Sequence, residues 1–214
     1  RLAFHAGLDL ALPEPQALPR MCAYVPGEGA VTLDQLAAGL VPGRAVVPII
    51  FYRSALLAAD TAPIDALSEA LAARGLAPAP LVIPSLKDPQ ASDFIRGAMM
   101  RLAPAVIVTT TAFAAGGVGA TSPLDCVDVP VLQAVIATTR LAAWQTSPRG
   151  LGPADLAMHV VLPELDGRVL AGAMAFKDAL PKDDALAFTA FASRPEPDRI
   201  GMVADRIAAL ARLQ

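Results

Sequence analysis

A chain of 214 residues with a net charge of −3 and 17% charged residues, its Lys and Arg scattered, offers no basic face for nucleic acid. Hydrophobic residues make up 55% of it, enough for a sizeable core and too many for a disordered chain. The two cysteines, Cys22 and Cys126, fit no zinc or redox spacing, so both are expected to be free thiols of a cytoplasmic protein.

Residues 1–20 are apolar up to Leu12 and then broken by Pro13, Pro15 and Pro19, which predicts an N-terminal arm or short helix. No charged-then-apolar leader opens the chain, so no signal peptide is expected. Residues 21–25 predict a short strand ended by Pro26-Gly27. Thr32-Leu33-Asp34-Gln35 has the capping-box pattern and starts a short helix that stops near Gly39. Residues 45–51 form a continuous apolar run, the pattern of a strand buried on both faces of a parallel sheet. Asp60-Thr61-Ala62-Pro63 reads as a cap followed by an early helical proline, opening a helix with Ile64, Leu67 and Leu71 inward that ends at Arg74-Gly75. A second apolar strand covers residues 80–83. Asp88-Pro89 opens a helix with Phe94, Ile95, Met99 and Leu102 inward. The third strand is 105–108, extended through Thr111, and the fourth is 130–136. A helix is expected over 138–145, carrying the single tryptophan, Trp144.

The uncharged run 102–124 is long enough to cross a bilayer. Its three consecutive threonines, Gly116-Gly117, Gly119 and flanking prolines exclude a membrane span and suggest a strand followed by a turned or mobile loop. That loop lacks the Lys-Ser/Thr of a P-loop, and Pro123 argues against a helix directly after it, so the chain is not expected to bind ATP. Residues 153–160 predict a further helix, 169–176 a further strand and 196–213 a terminal helix with Ile200, Val203, Ile207 and Leu210 inward. The expected organisation is an arm (1–20), an α/β domain (21–178), a flexible segment (179–197) and a terminal helix packed on the domain (198–214). Strands alternating with helices imply an α/β fold: an open, mostly parallel, Rossmann-like or flavodoxin-like three-layer sheet with helices on both faces.

Open sheets of this kind bind ligands beyond the carboxyl ends of their strands. Four segments should emerge there, at 51–54, 84–88, 109–113 and 137–140. They supply Arg53, Ser54, Ser85, Lys87, Thr111 and Phe113 as candidate substrate contacts, suited to a flat, partly apolar ligand with anionic or amide groups. The bland alternative makes Arg53 and Lys87 solvated strand-end charges and Phe113 core. Leu162-Pro163-Glu164-Leu165-Asp166-Gly167-Arg168 sets two carboxylates and a guanidinium between apolar segments. Carboxylates buried in such a setting can separate their pKa values, as acid/base chemistry requires. Asp166-Gly167 at the tip of a surface hairpin is the alternative. His159, close to Glu164, has no further ligand at metal spacing and reads more simply as a polar residue at a helix end.

These blocks resemble a known family. Ile50-Phe51-Tyr52-Arg53-Ser54, Ser85-Leu86-Lys87-Asp88, Pro130-Val131-Leu132-Gln133, Arg149-Gly150-Leu151 and the segment from Val161 to Arg168 are similar, in order and spacing, to blocks of the large subunit of aerobic cobaltochelatase and its relative, the H subunit of magnesium chelatase. The family subunit is far longer, so the chain looks like one internal domain of it. The resemblance implies a subunit that binds a corrin precursor, hydrogenobyrinic acid a,c-diamide, and receives Co²⁺ as substrate ion, while partner AAA+ subunits hydrolyse ATP. By itself the chain is then expected not to insert cobalt. It also implies roles. Glu164 is expected to be the base or a transient metal ligand, supported by Asp166 as an acid/base group and by His159 as base or metal ligand. Arg53, Lys87 and Arg168 are expected to contact peripheral groups of the macrocycle. The competing readings are a magnesium chelatase H-type subunit binding protoporphyrin, a non-catalytic α/β small-ligand-binding module, and a scaffold domain of the same subunit.

Overall fold

The computed structural model describes Gly7 and residues 17–116, 121–182 and 187–213. The expected arm at 1–20 and the glycines at 117 and 119 lie largely or wholly outside these residues. In chain order the elements are β1 (Cys22–Val25), β2 (Gly29–Val31), α1 (Leu33–Gly39), β3 (Val46–Tyr52), α2 (Arg53–Leu57), α3 (Ala62–Ala73), β4 (Ala77–Ile83), α4 (Pro89–Leu102), β5 (Ile107–Thr109), a 3₁₀ turn (Pro123–Cys126), β6 (Val131–Arg140), α5 (Leu141–Thr146), α6 (Pro153–Leu156), a π-helical turn (Ala157–Val161), α7 (Leu162–Glu164), β7 (Val169–Ala179), β8 (Phe191–Pro195) and α8 (Pro197–Ala211).

The apolar runs at 45–51 and 80–83 become the inner strands of one eight-stranded sheet, ordered β2-β1-β4-β3-β5-β6-β7-β8. β4, β3, β5, β6 and β7 are mutually parallel. The edges are antiparallel: β1 and β2 on one side, β8 on the other. Side chains alternate along β3, so Val47, Ile49 and Phe51 meet α3 and α8 on one face. Ile50 meets α1 and α4 on the other, with Leu36, Ile95 and Met99. Burying each of these large side chains stabilises the fold by about 1.5–3 kcal/mol. The result is the expected open, mostly parallel three-layer sheet.

Local chemistry explains the element ends. Thr32 and Gln35 close the capping box at α1. Asp88 accepts from the Gln90 and Ala91 N–H groups and starts α4. β4 begins three residues before its expected start, despite Pro78 and Pro80. The Ala77 N–H points at β3, to the Ala45 carbonyl, so the two prolines face the other edge. There β1 pairs only with Leu81 and Val82, and no ladder hydrogen bond is lost.

Four expectations need correction. Thr138–Arg140 belong to β6 rather than to a helix, because the β6–β7 ladder runs on to Arg140 opposite Lys177. Asp60 does not cap α3; its carboxylate turns to Lys177 and Ser193. The segment 179–197 is not simply flexible: Phe191–Pro195 is an edge strand paired with Ala175–Ala179. Leu162–Arg168 is not a hairpin, because it leads from α7 into β7, which lies parallel to β6. Gly167, at φ 72°, supplies the left-handed turn that ends this helical stretch. Gly172, at φ 140°, lets α8 approach β7, where a Cβ would stand 3.1 Å from Met202 Cε.

Candidate functional site

The chain runs from β3 outward to β4 and then crosses back to β5 on the other side of β3. This reversal opens a crevice at the carboxyl ends of β3 and β5, the ordinary ligand position in open α/β sheets. Three clefts surround it. One of about 450 Å³ is lined by Tyr52, Ser54, Thr138, His159 and Lys177 among others. One of about 440 Å³ holds His159 again, with Gln133, Glu164 and Arg168. A smaller one, about 100 Å³, is formed by Tyr52, Ser85, Lys87 and Phe113 with their neighbours. A larger cavity, about 910 Å³, opens at the amino ends of β3 and β4, away from this crevice.

His159 is the residue common to the two larger clefts, and its backbone explains its position. Pro163 has no N–H and its ring would clash with the carbonyl four residues back, which is that of His159. The helix widens instead: Ala157–Val161 is a π-turn, and Leu162 N–H donates to the Ala157 carbonyl. The Met158 carbonyl, five residues before Pro163, has no helical donor and accepts from Phe113 N–H at 2.7 Å. Single π-turns are frequent at functional sites. Phe113 is 44% exposed. It sits at φ 65°, a left-handed conformation costly for an aromatic residue.

The His159 ring is buried, and Nδ1 has no hydrogen-bond partner. Nε2 lies 3.9 Å from Asp155 Oδ1, one turn earlier. Asp155 is itself buried and accepts from the N–H and hydroxyl groups of both Thr138 and Thr139, at 2.6–2.9 Å. The Asp155 carboxylate faces Nε2, and Nδ1, shielded from solvent, is left without a protein partner. Burial pushes the His159 pKa below its ordinary 6.5, with Asp155 opposing, so the ring is neutral at neutral pH. For Asp155 burial acts upward, but the four threonine hydrogen bonds outweigh it and hold the carboxyl below the usual 3.8.

These shifts fix a pH dependence. Unfolded His159 binds protons near 6.5 and the folded ring only at lower pH, so stability is complete above 6.5 and falls as pH drops through the folded value. Asp155 and Asp60, both lowered, add stability above 3.8 that is lost at still lower pH. Urea midpoints are therefore expected to hold steady down to about pH 7 and then decline in two stages. His159→Gln should flatten the first stage and leave the second unchanged.

Other sequence-named residues are engaged elsewhere. Arg168 is buried, not free for a ligand. Its Nη1 donates to the Thr111 carbonyl at 3.1 Å and Gln133 Oε1 at 3.2 Å, and its Nη2 to Asp166 at 2.7 Å. Asp166 accepts from the Ala115 and Gly116 N–H groups and so pins the start of the glycine-rich loop, which leaves it no exposed acid/base position. Thr111 is 1% exposed, with its hydroxyl bonded to Thr109, and cannot reach a ligand from there. Arg53 donates to the carbonyls of Leu18 and Pro19, which holds the chain entering β1. Glu164 stands exposed at the rim of the second cleft, so the burial expected for it is absent. Ser54 is exposed beside the first cleft, and Ser85, Lys87 and Phe113 share the smallest one.

Asp155, Lys177 and Asp60 escape sequence reasoning. For Asp155 the one available signal was an acidic residue in the first turn of a helix opened by Gly152-Pro153. No group of three His, Cys, Asp or Glu among the described residues is placed to hold a metal ion. No helix among them is long and apolar enough to cross a membrane.

Comparison with known proteins gives the family. The sequence matches the CobN/Magnesium Chelatase family over residues 2–214. It is 44% identical over 80% of its length to the aerobic cobaltochelatase subunit CobN of Pseudomonas aeruginosa, covering 14% of that protein. It is 31% identical over 79% of its length to the H subunit of magnesium chelatase from Rhodobacter capsulatus, covering 15% of it. The fold superposes on the catalytic subunit of cobaltochelatase from Mycobacterium tuberculosis with a TM-score of 0.71 and 25% identity, over 99% of this chain and 17% of that one. The chain therefore spans about a sixth of the length of these relatives. With the match running over essentially all of its residues, the chain belongs to the CobN/Magnesium Chelatase family.

Proposed function

We propose that this chain is a domain of the large, tetrapyrrole-binding subunit of a cytoplasmic cobaltochelatase. The whole enzyme inserts Co²⁺ into hydrogenobyrinic acid a,c-diamide, and AAA+ partner subunits supply ATP hydrolysis. The observation that carries the cobalt branch is identity: 44% to a cobaltochelatase subunit against 31% to a magnesium-chelatase subunit, over nearly the same share of the chain.

The crevice provides groups suited to the chemistry. Macrocycle nitrogens must lose protons as the metal enters, and a neutral imidazole with an unpartnered nitrogen can take one. Glu164 at the rim can receive the hydrated ion from solvent and His159 deeper in can pass it on, both as transient ligands. Co²⁺ accepts nitrogen and oxygen donors alike. Two protein ligands hold an ion weakly, so it remains transferable to the macrocycle. Asp155 positions the imidazole, while Arg168 and Asp166 hold the crevice in shape. Ser54, Ser85, Lys87 and Phe113, which line the clefts, are assigned to the macrocycle's edge.

The test is metal insertion by the full-length subunit with its ATPase partners and ATP. Cobalt should enter the corrin precursor, and magnesium should not enter protoporphyrin. The reverse pattern would place the chain in the magnesium branch.

A further inference from the structure

Two of the three cations that the sequence offers to a ligand, Arg53 and Arg168, are consumed within the protein. Lys87 borders only the smallest cleft. The cleft that contains His159 and Ser54 nevertheless has a cation in its wall, Lys177 on β7. Its Nζ donates to Asp60 Oδ2 at 2.7 Å and to Ser193 Oγ at 2.9 Å. An ammonium has three N–H donors, so one remains without a partner among the described residues. Asp60 is differently placed. It accepts from Lys177, from the Ser193 hydroxyl and from the Ser193 N–H, and its side chain is 18% exposed against 32% for Lys177. Both partners line the cleft, Lys177 is the more exposed of the two, and the acceptors of Asp60 are the more fully engaged. Ser193, on the edge strand β8 and in the wall of the same cleft, accepts from the ammonium and fixes its position.

The geometry points to Lys177 as an anchor for a carboxylate at the periphery of the bound tetrapyrrole, held by Asp60 and Ser193 in a fixed position beside His159. This rests on reading the crevice as the tetrapyrrole site. Asp60 and His159, with the phenol of Tyr52, are the other titratable groups of this cleft, so among the described residues Lys177 is its only permanent cation. A carboxylate meeting it forms a charge-assisted hydrogen bond, and an ester at the same place forms only a weaker neutral one. The anchor would fix the rotation of the macrocycle in its plane and so bring one particular pair of ring nitrogens toward His159.

The experiment uses the full-length subunit and compares binding of hydrogenobyrinic acid a,c-diamide with binding of its methyl ester, by absorbance titration. Wild type should bind the acid roughly tenfold or more tightly than the ester. Lys177→Met should lose most of that preference, the share that Lys87 supplies remaining, and Lys177→Arg should retain most of it. Removing the ammonium alone strands the Asp60 carboxylate, so Asp60→Asn/Lys177→Met is measured beside it; this variant carries no uncompensated charge and should behave like Lys177→Met. Equal wild-type affinity for acid and ester, or a double variant that keeps the preference, overturns the anchor while the tetrapyrrole site stands. A wild type that binds neither compound overturns the site and the anchor together.

Discussion

Arg168→Met is expected to destabilise the protein by about 3–5 kcal/mol, the cost of stranding a buried charge. The side chains of Arg168 and Asp166 are 1% and 3% exposed, so their pairing takes place away from water. Burial pushes the Arg168 pKa down from its ordinary value, with the Asp166 carboxylate opposing. Methionine keeps much of the volume and removes every donor. Asp166 would then retain only the N–H groups of Ala115 and Gly116, and the Thr111 carbonyl only the Gln133 amide. The start of the glycine-rich loop should loosen together with the crevice wall. Asp166→Asn/Arg168→Met removes both charges and should recover more than half of the loss, because a paired and an absent charge cost similar amounts. Urea unfolding of the three proteins measures this. A loss under about 1 kcal/mol for the single variant would mean that the pair is solvated and that the network does not hold the crevice.

The fold is legible in the sequence where a local pattern and the tertiary environment agree. Residues 45–51 are apolar at every position because β3 lies in the middle of a sheet covered on both faces, and the capping box at Thr32 works through neighbours three residues apart. It is illegible where partners are distant in the chain. The β-branched Thr138 and Thr139 favour a strand only weakly against the cap they also resemble; what decides it is the β7 ladder and a carboxylate about sixteen residues on. β8 reads as loop because it is a short edge strand with one well-buried residue, Ser193, which faces Asp60 rather than an apolar layer. The candidate site divides in the same way. The strand-end rule placed Ser54, Ser85, Lys87 and Phe113 around one crevice. It could not say that Arg53 would turn to the Leu18 and Pro19 carbonyls or that Arg168 would be buried, because both outcomes depend on carbonyls that only folding brings near. The π-turn was equally hidden. Pro163 alone signals a helix break, and the wider turn survives because Phe113, about fifty residues earlier, donates to the freed Met158 carbonyl.

That turn bears on the second large effect, which concerns catalysis rather than stability. His159→Gln in the full-length subunit is expected to lower the single-turnover rate of cobalt insertion by roughly 10²-fold or more while leaving the fold intact. The ring makes no hydrogen bond through Nδ1 and stands 3.9 Å from Asp155 through Nε2, so its removal costs the protein no strong interaction. A buried polar atom left unpaired is itself unfavourable, and stability near neutral pH should stay the same or rise. The proposed function assigns this buried ring, which lines two clefts, to a ligand. Glu164→Gln separates the two transient ligands. At the exposed rim it should leave stability unchanged and slow insertion chiefly at limiting cobalt, because it acts on capture of the ion, whereas His159→Gln should remain slow at saturating cobalt and saturating macrocycle. Substrate affinity measured in parallel should change less than about threefold in both variants, since neither side chain is assigned to holding the macrocycle's edge. A His159→Gln rate within about twofold of wild type at saturation would remove the imidazole from proton transfer and leave the π-turn as a purely structural response to Pro163.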